Sequence, residues 1–453
     1  LDFDDSNRLA TTQDIENMFN SDNVYHQPKT PEIHPTGSVR DYYHAISYNQ
    51  LHVKFKLLPA SSDPSLTNPQ SNVLNDFAHL FDADYATFSD ECNDNNVSNF
   101  LTGLQQAFDQ VKSNMQANGE DFYEKYFNKP ICFIQAGYGA ESAGGCDYIW
   151  SHKWSFWDTS RGRWQTYNMN PFKVNSTTTP NQICITDIGV IVHESLHAFG
   201  LPDLYDTSYK GSGTGDVSIM AGGSWGNNDS FFNTPYLPSY AISWTKEQLD
   251  KSNYIQTKKI DINQTTQNLT LKPIYEENKF YSINHPNGKD SWYIEYRTAN
   301  SPGLNNNMNF DRKIPENGLC IIHVADRDEP QSMVENSNRR PVHRRGESGY
   351  DISLGQKDGT FATQRGSGVI RNDFYASGDE LSPYTTPSTI GALGVHSGIK
   401  LHNIRESGNE MIFDVEFLDQ PTPKILSVDY SFSDKSKVIS SVDRSIWLQS
   451  ETD

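Results

Sequence analysis

The pattern of apolar positions changes character near residue 258. Before that point the clearest signals are helical. Leu101, Leu104, Phe108, Val111 and Met115 recur at intervals of three and four, which puts them on one face of a helix over residues 96–115. Residues 12–20 predict a short helix with Thr11 or Thr12 as cap. Residues 38–59 begin with helical spacing and end in Leu51, Val53, Phe55 and Leu57, which alternate as a strand does. Residues 131–136 (ICFIQA) predict a buried strand, followed by a Gly-rich loop. Ile188, Ile191, Val192, Leu196 and Phe199 then form a second helical stripe, capped by Thr186 or Asp187. Beyond residue 258 the alternation is that of strands, with candidates at 269–271, 292–296, 319–324, 399–404 and 411–417. Turns such as Pro286-Asn287-Gly288 and Ser407-Gly408-Asn409 separate them. The expected fold class is α+β. A catalytic domain of sheet and helices is expected over residues 1–250 and a β-rich domain over 251–419. Residues 420–453 open with the linker Gln420-Pro421-Thr422-Pro423 and either pack back as a tail or begin a further β module.

The second stripe carries the chemistry. Residues 190–206 read VIVHESLHAFGLPDLYD and place His193, Glu194 and His197 in the pattern HExxH. Four residues is just over one helical turn, so both imidazoles project from one face and can reach one ion. A catalytic zinc site normally has three protein ligands and a water, and Glu194, about 100° round the helix, is placed to take that water's proton. Gly200 lets the backbone turn sharply. The chain then folds back and offers Asp203 as the third ligand, with Asp206 as a competitor in principle. HExxH arises by accident in roughly one chain in a hundred of this length. The Gly and Asp at extended spacing, the helical stripe and a following methionine turn, Ser218-Ile219-Met220-Ala221-Gly222, reduce that chance. Taken alone, Met220 reads as ordinary core, and His152, between Trp150 and Trp154, as a packed or surface histidine.

Composition narrows the partners. A net charge of −20 and an isoelectric point near 5.0 argue against nucleic acid or acidic lipid. Mean hydropathy is −0.67, and no apolar run approaches the roughly 18 residues of a membrane span. Protein or peptide substrates are the partners that the HExxH reading implies, and the oligomeric state is unknown from sequence. Five cysteines match no zinc knuckle; Cys132 and Cys320 sit in apolar runs and are expected as buried free thiols. Structural Ca²⁺ is the second cofactor considered, at the Asp/Asn-rich residues 90–96, where a solvated loop is the favoured reading. Arg339, Arg340, Arg344 and Arg345 read as a solvated loop. The opening Leu1-Asp2-Phe3-Asp4-Asp5 resembles the end of a strand, so removed upstream sequence, such as a signal or pro-segment, is expected.

With these residues in view, the chain resembles the M6 peptidases, the immune inhibitor A-like secreted metalloproteases. HESLHAFGLPDLYD is similar to the family's HExxHxxGLPDxYD signature, SIMAGGSW to its Met-turn, and QAGYGAE with IWSHKW to the segment upstream of its site helix. GSVRDYY, IPENGLCIIHV, QKDGT and SGIKLHNIRESGNEMIFDV follow in family order, so the resemblance runs over about residues 1–418. It implies a zincin, metzincin-like core of twisted mixed sheet plus active-site helix, and zinc held by His193, His197 and Asp203. It also implies Glu194 as base and acid, secretion, and often a zymogen. Leu196 stands where family members usually have Gly. NGEDFYEKYFNKP replaces the calcium-type loop of many relatives, so that calcium site is not carried over. The residue that polarises the scissile carbonyl stays open among Tyr205, Tyr209, Tyr236 and His152. A zinc endopeptidase is the expectation. The alternatives are an inactive binding or adhesion protein on a zincin scaffold, and a β half that acts as a targeting module for the peptidase.

Overall fold

The computed structural model describes residues 12–22, 24, 37–58, 95–126, 129–138, 151–175, 183–205, 213–225, 238–286, 288–298, 310–311, 314, 316–326, 350–354, 373–391, 395–419, 437–440 and 446–449. The fold is mixed α and β, built on mixed sheets with helices against them.

Among the described residues, four helices precede or flank the first sheet: α1 (Thr12–Asn20), α2 (Val39–Ser47), α3 (Asn95–Ala117) and α4 (Phe122–Tyr126). The sheet comprises β1 (Ile131–Tyr138), β2 (His152–Asp158), β3 (Arg163–Asn175) and β4 (Ile183–Ile185). The long strand β3 is its centre: β1 lies parallel to it (Ile131 opposite Tyr167) and β2 antiparallel (His152 opposite Met169). β4 pairs antiparallel with its far end. The predicted stripe of α3 is the face that packs on this sheet. Leu104, Phe108 and Met115 bury against Phe133, Phe156, Tyr167 and Met169.

Residues 51–58 depart from expectation. They alternate, with Leu51, Val53 and Phe55 turned against the core and His52, Lys54 and Lys56 exposed, yet they join no sheet among the described residues. The Asn20 side chain takes the place of a neighbouring strand: its amide accepts from the Phe55 N–H (2.9 Å) and donates to the Phe55 carbonyl (2.9 Å). An amide presents a donor and an acceptor side by side, as a peptide unit does.

The site helix α5 (Ile188–Leu196) starts at Asp187, whose extended backbone makes it the N-cap without a side-chain capping bond, and continues as a 3₁₀ turn over His197–Phe199. Gly200 ends it at φ +86°, the left-handed conformation that glycine adopts without steric penalty. After α6 (Ser243–Lys251), the strands β5 (Lys258–Ile262), β7 (Lys279–Asn284), β8 (Asp290–Arg297), β9 (Gly318–Asp326) and β10 (Tyr350–Leu354) form a five-stranded sheet in the order β10-β9-β8-β7-β5. β6 (Thr266–Leu271), β11 (Ile399–Ser407) and β12 (Glu410–Phe417) form a three-stranded sheet in the order β11-β12-β6. A hairpin of β13 (Lys437–Ser440) and β14 (Ile446–Gln449) follows.

Strands β7, β8 and β9 of the five-stranded sheet are buried on both faces, which explains the near-continuous apolar run of β9. Trp292, Ile294, Tyr296, Leu319 and Ile321 face the three-stranded sheet. Their neighbours Tyr293, Cys320, Ile322 and Val324 face the other way, into a core shared with Ile188, Ile191, Val192 and Leu196 of α5 and with Tyr42, Tyr43 and Ile46 of α2. The site helix therefore packs on residues from both ends of the chain. Leu196 fills its place in that core completely buried.

Candidate metal centre

His193, Glu194 and His197 lie at the C-terminal end of α5 and its 3₁₀ continuation. All three are buried, at 5–6% exposed. The turn at Gly200 brings the chain back so that Asp203 faces the two histidines. Its Oδ1 is 3.0 Å from His193 Nε2 and 3.3 Å from His197 Nε2. His193, His197 and Asp203 are one of two groupings among the described residues whose ligand atoms lie within 4.8 Å of one another. Glu194 Oε2 is 3.9 Å from His197 Nε2, close beside the three without belonging to them.

Backbone carbonyls fix which ring atom faces inward. His193 Nδ1–H donates to the Ile219 carbonyl (2.8 Å) and His197 Nδ1–H to the Leu201 carbonyl (2.7 Å). With each Nδ1 committed as a donor, the neutral tautomer leaves the Nε2 lone pair for the centre, the usual arrangement behind a metal-binding imidazole. The segment that supplies the Ile219 carbonyl also places Asp203: the Met220 carbonyl accepts from the Leu204 N–H (2.7 Å), and the Leu204 carbonyl accepts from the Thr214 N–H (2.9 Å). From the opposite side, the Asn168 amide of β3 donates to the Glu194 carbonyl (3.5 Å).

Charge in the grouping is strongly coupled. Burial alone would lower His193, but the hydrogen bond it donates to Asp203 and the charge of Glu194 outweigh it and push the imidazole up to about 9. Burial would raise Asp203, yet the two histidines hold its carboxyl well below the ordinary carboxylate range. Two imidazoles around one carboxylate oxygen form a site that wants positive charge at its centre. Ligand atoms about 2.0–2.1 Å from a tetrahedral zinc stand about 3.3 Å apart, and the two Nε2–Oδ1 distances match that edge. The donor set of two nitrogens and a carboxylate oxygen suits zinc and is poor in oxygens for calcium. The residues present fit a zinc ion.

The other grouping, Asp22, Asp41 and His44, does not make such a case. Asp41 accepts from the Ser38 N–H, Asp22 pairs with Arg40 (3.5 Å), and His44 Nε2 meets His52 Nδ1 (3.1 Å). Each is already engaged by protein. Structural Ca²⁺ gains no support from the described residues: 118–130 holds the short helix α4 and a Lys125–Glu120 bridge, and residues 90–94 lie outside them.

The remaining sequence expectations divide as follows. Asp206, Tyr209 and Tyr236 fall outside the described residues, as do Cys92, Cys146 and Arg339–Arg345. His152 is bonded through Nε2 to the Tyr167 hydroxyl (2.9 Å) and is not among the clustered ligands. The Tyr205 ring lies nearly parallel to that of His193, with centroids 6.4 Å apart. Met220 is fully buried in the core. Cys132 and Cys320 are free thiols, and burial pushes Cys132 up to about 12. The carbonyls of Ile219 and Leu201 were not foreseen, because any residue type can supply a backbone carbonyl.

Residues 86–254 match the model of the immune inhibitor A peptidase M6 catalytic domain. Among curated proteins, the pre-pro-metalloprotease PrtV of Vibrio cholerae serotype O1 is 29% identical over 201 residues, covering 38% of this chain and 21% of that protein. Immune inhibitor A of Bacillus thuringiensis subsp. alesti is 33% identical over 114 residues, covering 21% of this chain and 15% of that protein. The alignments thus take in no more than about a fifth of either relative's length. The matched region contains α5, the Gly200 turn and Asp203, and lies within the extent read from the motifs. Residues 86–254 of this chain are therefore similar to the catalytic domain of the M6 peptidase family.

Proposed function

We propose that the protein is a secreted zinc-dependent endopeptidase acting on extracellular proteins. The observation that carries this reading is the convergence of His193 Nε2, His197 Nε2 and Asp203 Oδ1 with Glu194 alongside. His193, His197 and Asp203 hold the ion. When bound, zinc supplies Lewis-acid polarisation of the scissile carbonyl and acidifies a water molecule. Glu194 takes the proton of the attacking water and returns it to the leaving amine nitrogen. Its burial on α5 keeps the carboxylate in place for that transfer. Met220 is the methionine of a metzincin-like turn in this reading, and Ser218 helps to hold it, since its hydroxyl accepts from the Met220 N–H (3.2 Å). The catalytic part corresponds to residues 1–250 and the β-rich part to 251–419, with 420–453 as linker and tail. No helix among the described residues is long and apolar enough to cross a membrane.

Glu194→Gln provides the test. The variant is expected to keep its fold and one zinc per chain while casein hydrolysis falls about 10²–10⁴-fold, the range for loss of a general base. Chelation of the wild-type protein should abolish hydrolysis, and added zinc should restore it. A Glu194→Gln protein with wild-type turnover would refute the assignment of the base.

A further inference from the structure

Arg297 ends β8, outside the M6-matched region, and is wholly buried. Its guanidinium is spent in four directions. Nε donates to Glu295 Oε1 (2.8 Å) and Nη1 to Asp311 Oδ2, while Nη2 donates to the carbonyls of Val217 (2.5 Å) and Tyr240 (3.4 Å). Glu295 and Asp311 are themselves buried and hold neighbouring backbone. Glu295 Oε2 accepts from the Ser243 N–H that starts α6, and Asp311 Oδ1 from the Tyr240 N–H. Buried ion pairs are poor sources of stability, because desolvation offsets their attraction and apolar side chains of similar volume often serve as well. An apolar side chain could not supply the bonds to Val217 and Tyr240.

Val217 is the pertinent end of this network. Two residues on, the Ile219 carbonyl receives His193 Nδ1–H, and one residue further the Met220 carbonyl receives the Leu204 N–H beside Asp203. Residues 217–220 run from the end of one 3₁₀ turn (Gly215–Val217) towards the next (Gly222–Ser224) and belong to no strand, so their position depends on the bonds made to their carbonyls. Arg297 bonds one end, and the other accepts from His193 directly and from Leu204, the residue that follows Asp203.

We propose that Arg297, reaching from the five-stranded sheet to the Val217 carbonyl, is a positioning residue for the metal centre. It fixes the segment that orients His193 and Asp203. This inference rests on the zinc reading of the site. In that case the β-rich part supplies a component of the metal centre and does more than accompany it.

The test uses the full chain. Arg297→Lys keeps a positive charge beside Glu295 and Asp311 but cannot reach two carboxylates and two carbonyls at once. The expected result is a protein with native near-UV circular dichroism whose zinc dissociation constant, from chelator competition, rises about 10–100-fold, as when an outer partner of a metal ligand is lost. The visible bands of its Co²⁺ form should also shift. Tyr48→Phe is the matched control. It removes a half-buried hydroxyl that donates to the carbonyls of Ile274 and Glu277 and accepts from Lys246, without touching residues 217–220, so it should lower the melting temperature and leave zinc affinity and the Co²⁺ spectrum unchanged. Wild-type affinity and spectrum in Arg297→Lys, or an equal loss in Tyr48→Phe, overturns the positioning role. Should Arg297→Lys fail to fold, Asp311→Asn is read the same way, with a smaller weakening expected and unchanged binding overturning the proposal. A wild-type protein that binds no zinc fells both the metal-centre reading and this one; zinc-binding wild type with unaffected variants fells only this one.

Discussion

At the scale of single residues, Lys246 shows how the protein accommodates charge away from the metal centre. It lies on α6, 1% exposed, donates to the Tyr48 hydroxyl (2.8 Å) and sits 4.7 Å above the Tyr48 ring. Burial pulls its ammonium down to about 7; Glu295 and Asp311 act against that pull, and Arg297 adds to it. Below pH 7 the lysine is charged in the folded and unfolded chain alike, and the folded state bears the full desolvation cost. Between pH 7 and the ordinary lysine value of 10.5, the unfolded chain binds more protons than the folded one, so this residue makes stability rise with pH. Urea unfolding of wild type and Lys246→Met at several pH values should therefore diverge. The wild type should gain on the variant above pH 7 with a slope approaching about 1.4 kcal/mol per pH unit. Stability curves that run parallel from pH 6 to 10 would show that Lys246 does not titrate in the folded state.

Among the elements, α2 is the one most completely specified by local chemistry. Ser38 and Asp41 form a reciprocal capping box: the Ser38 hydroxyl accepts from the Asp41 N–H (3.1 Å) and the Asp41 carboxylate from the Ser38 N–H (2.8 Å). The helix then presents Tyr43 to α5, where its hydroxyl meets Ser195 Oγ (2.7 Å). Ser38→Ala should cost about 0.5–2 kcal/mol in chemical denaturation, with zinc affinity unchanged because the Tyr43 contact remains. A variant as stable as wild type would mean that the cap contributes nothing. Elements of this kind were legible in the sequence, as were α3, α5 and the strands rich in Ile, Leu and Val. β3 was not, because Gln165, Asn168 and Asn170 point inward and are buried, which breaks the apolar alternation of a strand. α6 was hidden for a similar reason, since Lys246 and Glu247 are buried charges where a helical stripe would need apolar residues. In the site, spacing picked out the three side chains that the structure brings together and the Glu194 carboxylate beside them. The carbonyls that orient the rings carry no residue-type signal, and the guanidinium behind Val217 depends on a tertiary contact between residues 80 positions apart, which no local pattern encodes.

For the whole molecule, the issue is whether the catalytic part stands without the sheets that follow it. Tyr293, Phe280, Ile322, Val324 and Phe374 lie in the same core as Ile188, Ile191 and Leu196 of the site helix. At about 1.5–3 kcal/mol for each buried apolar side chain, those five alone approach the 5–15 kcal/mol that holds a typical domain folded. Truncation would also strip polar partners from the remaining part. Val217 and Tyr240 would lose the Arg297 guanidinium, the Tyr240 N–H would lose Asp311, and the Ser243 N–H would lose Glu295. A chain ending near Trp244 would in addition cut α6 short. Such a fragment is expected to aggregate or to lack native near-UV circular dichroism, and to bind zinc at least 100-fold more weakly than the full chain, since outer-partner loss alone accounts for about 10–100-fold. The measurements are size-exclusion chromatography, circular dichroism and chelator competition on the two proteins side by side. A soluble fragment with wild-type zinc affinity and caseinolytic activity would show that the β-rich part is separable and would restore its reading as a targeting module.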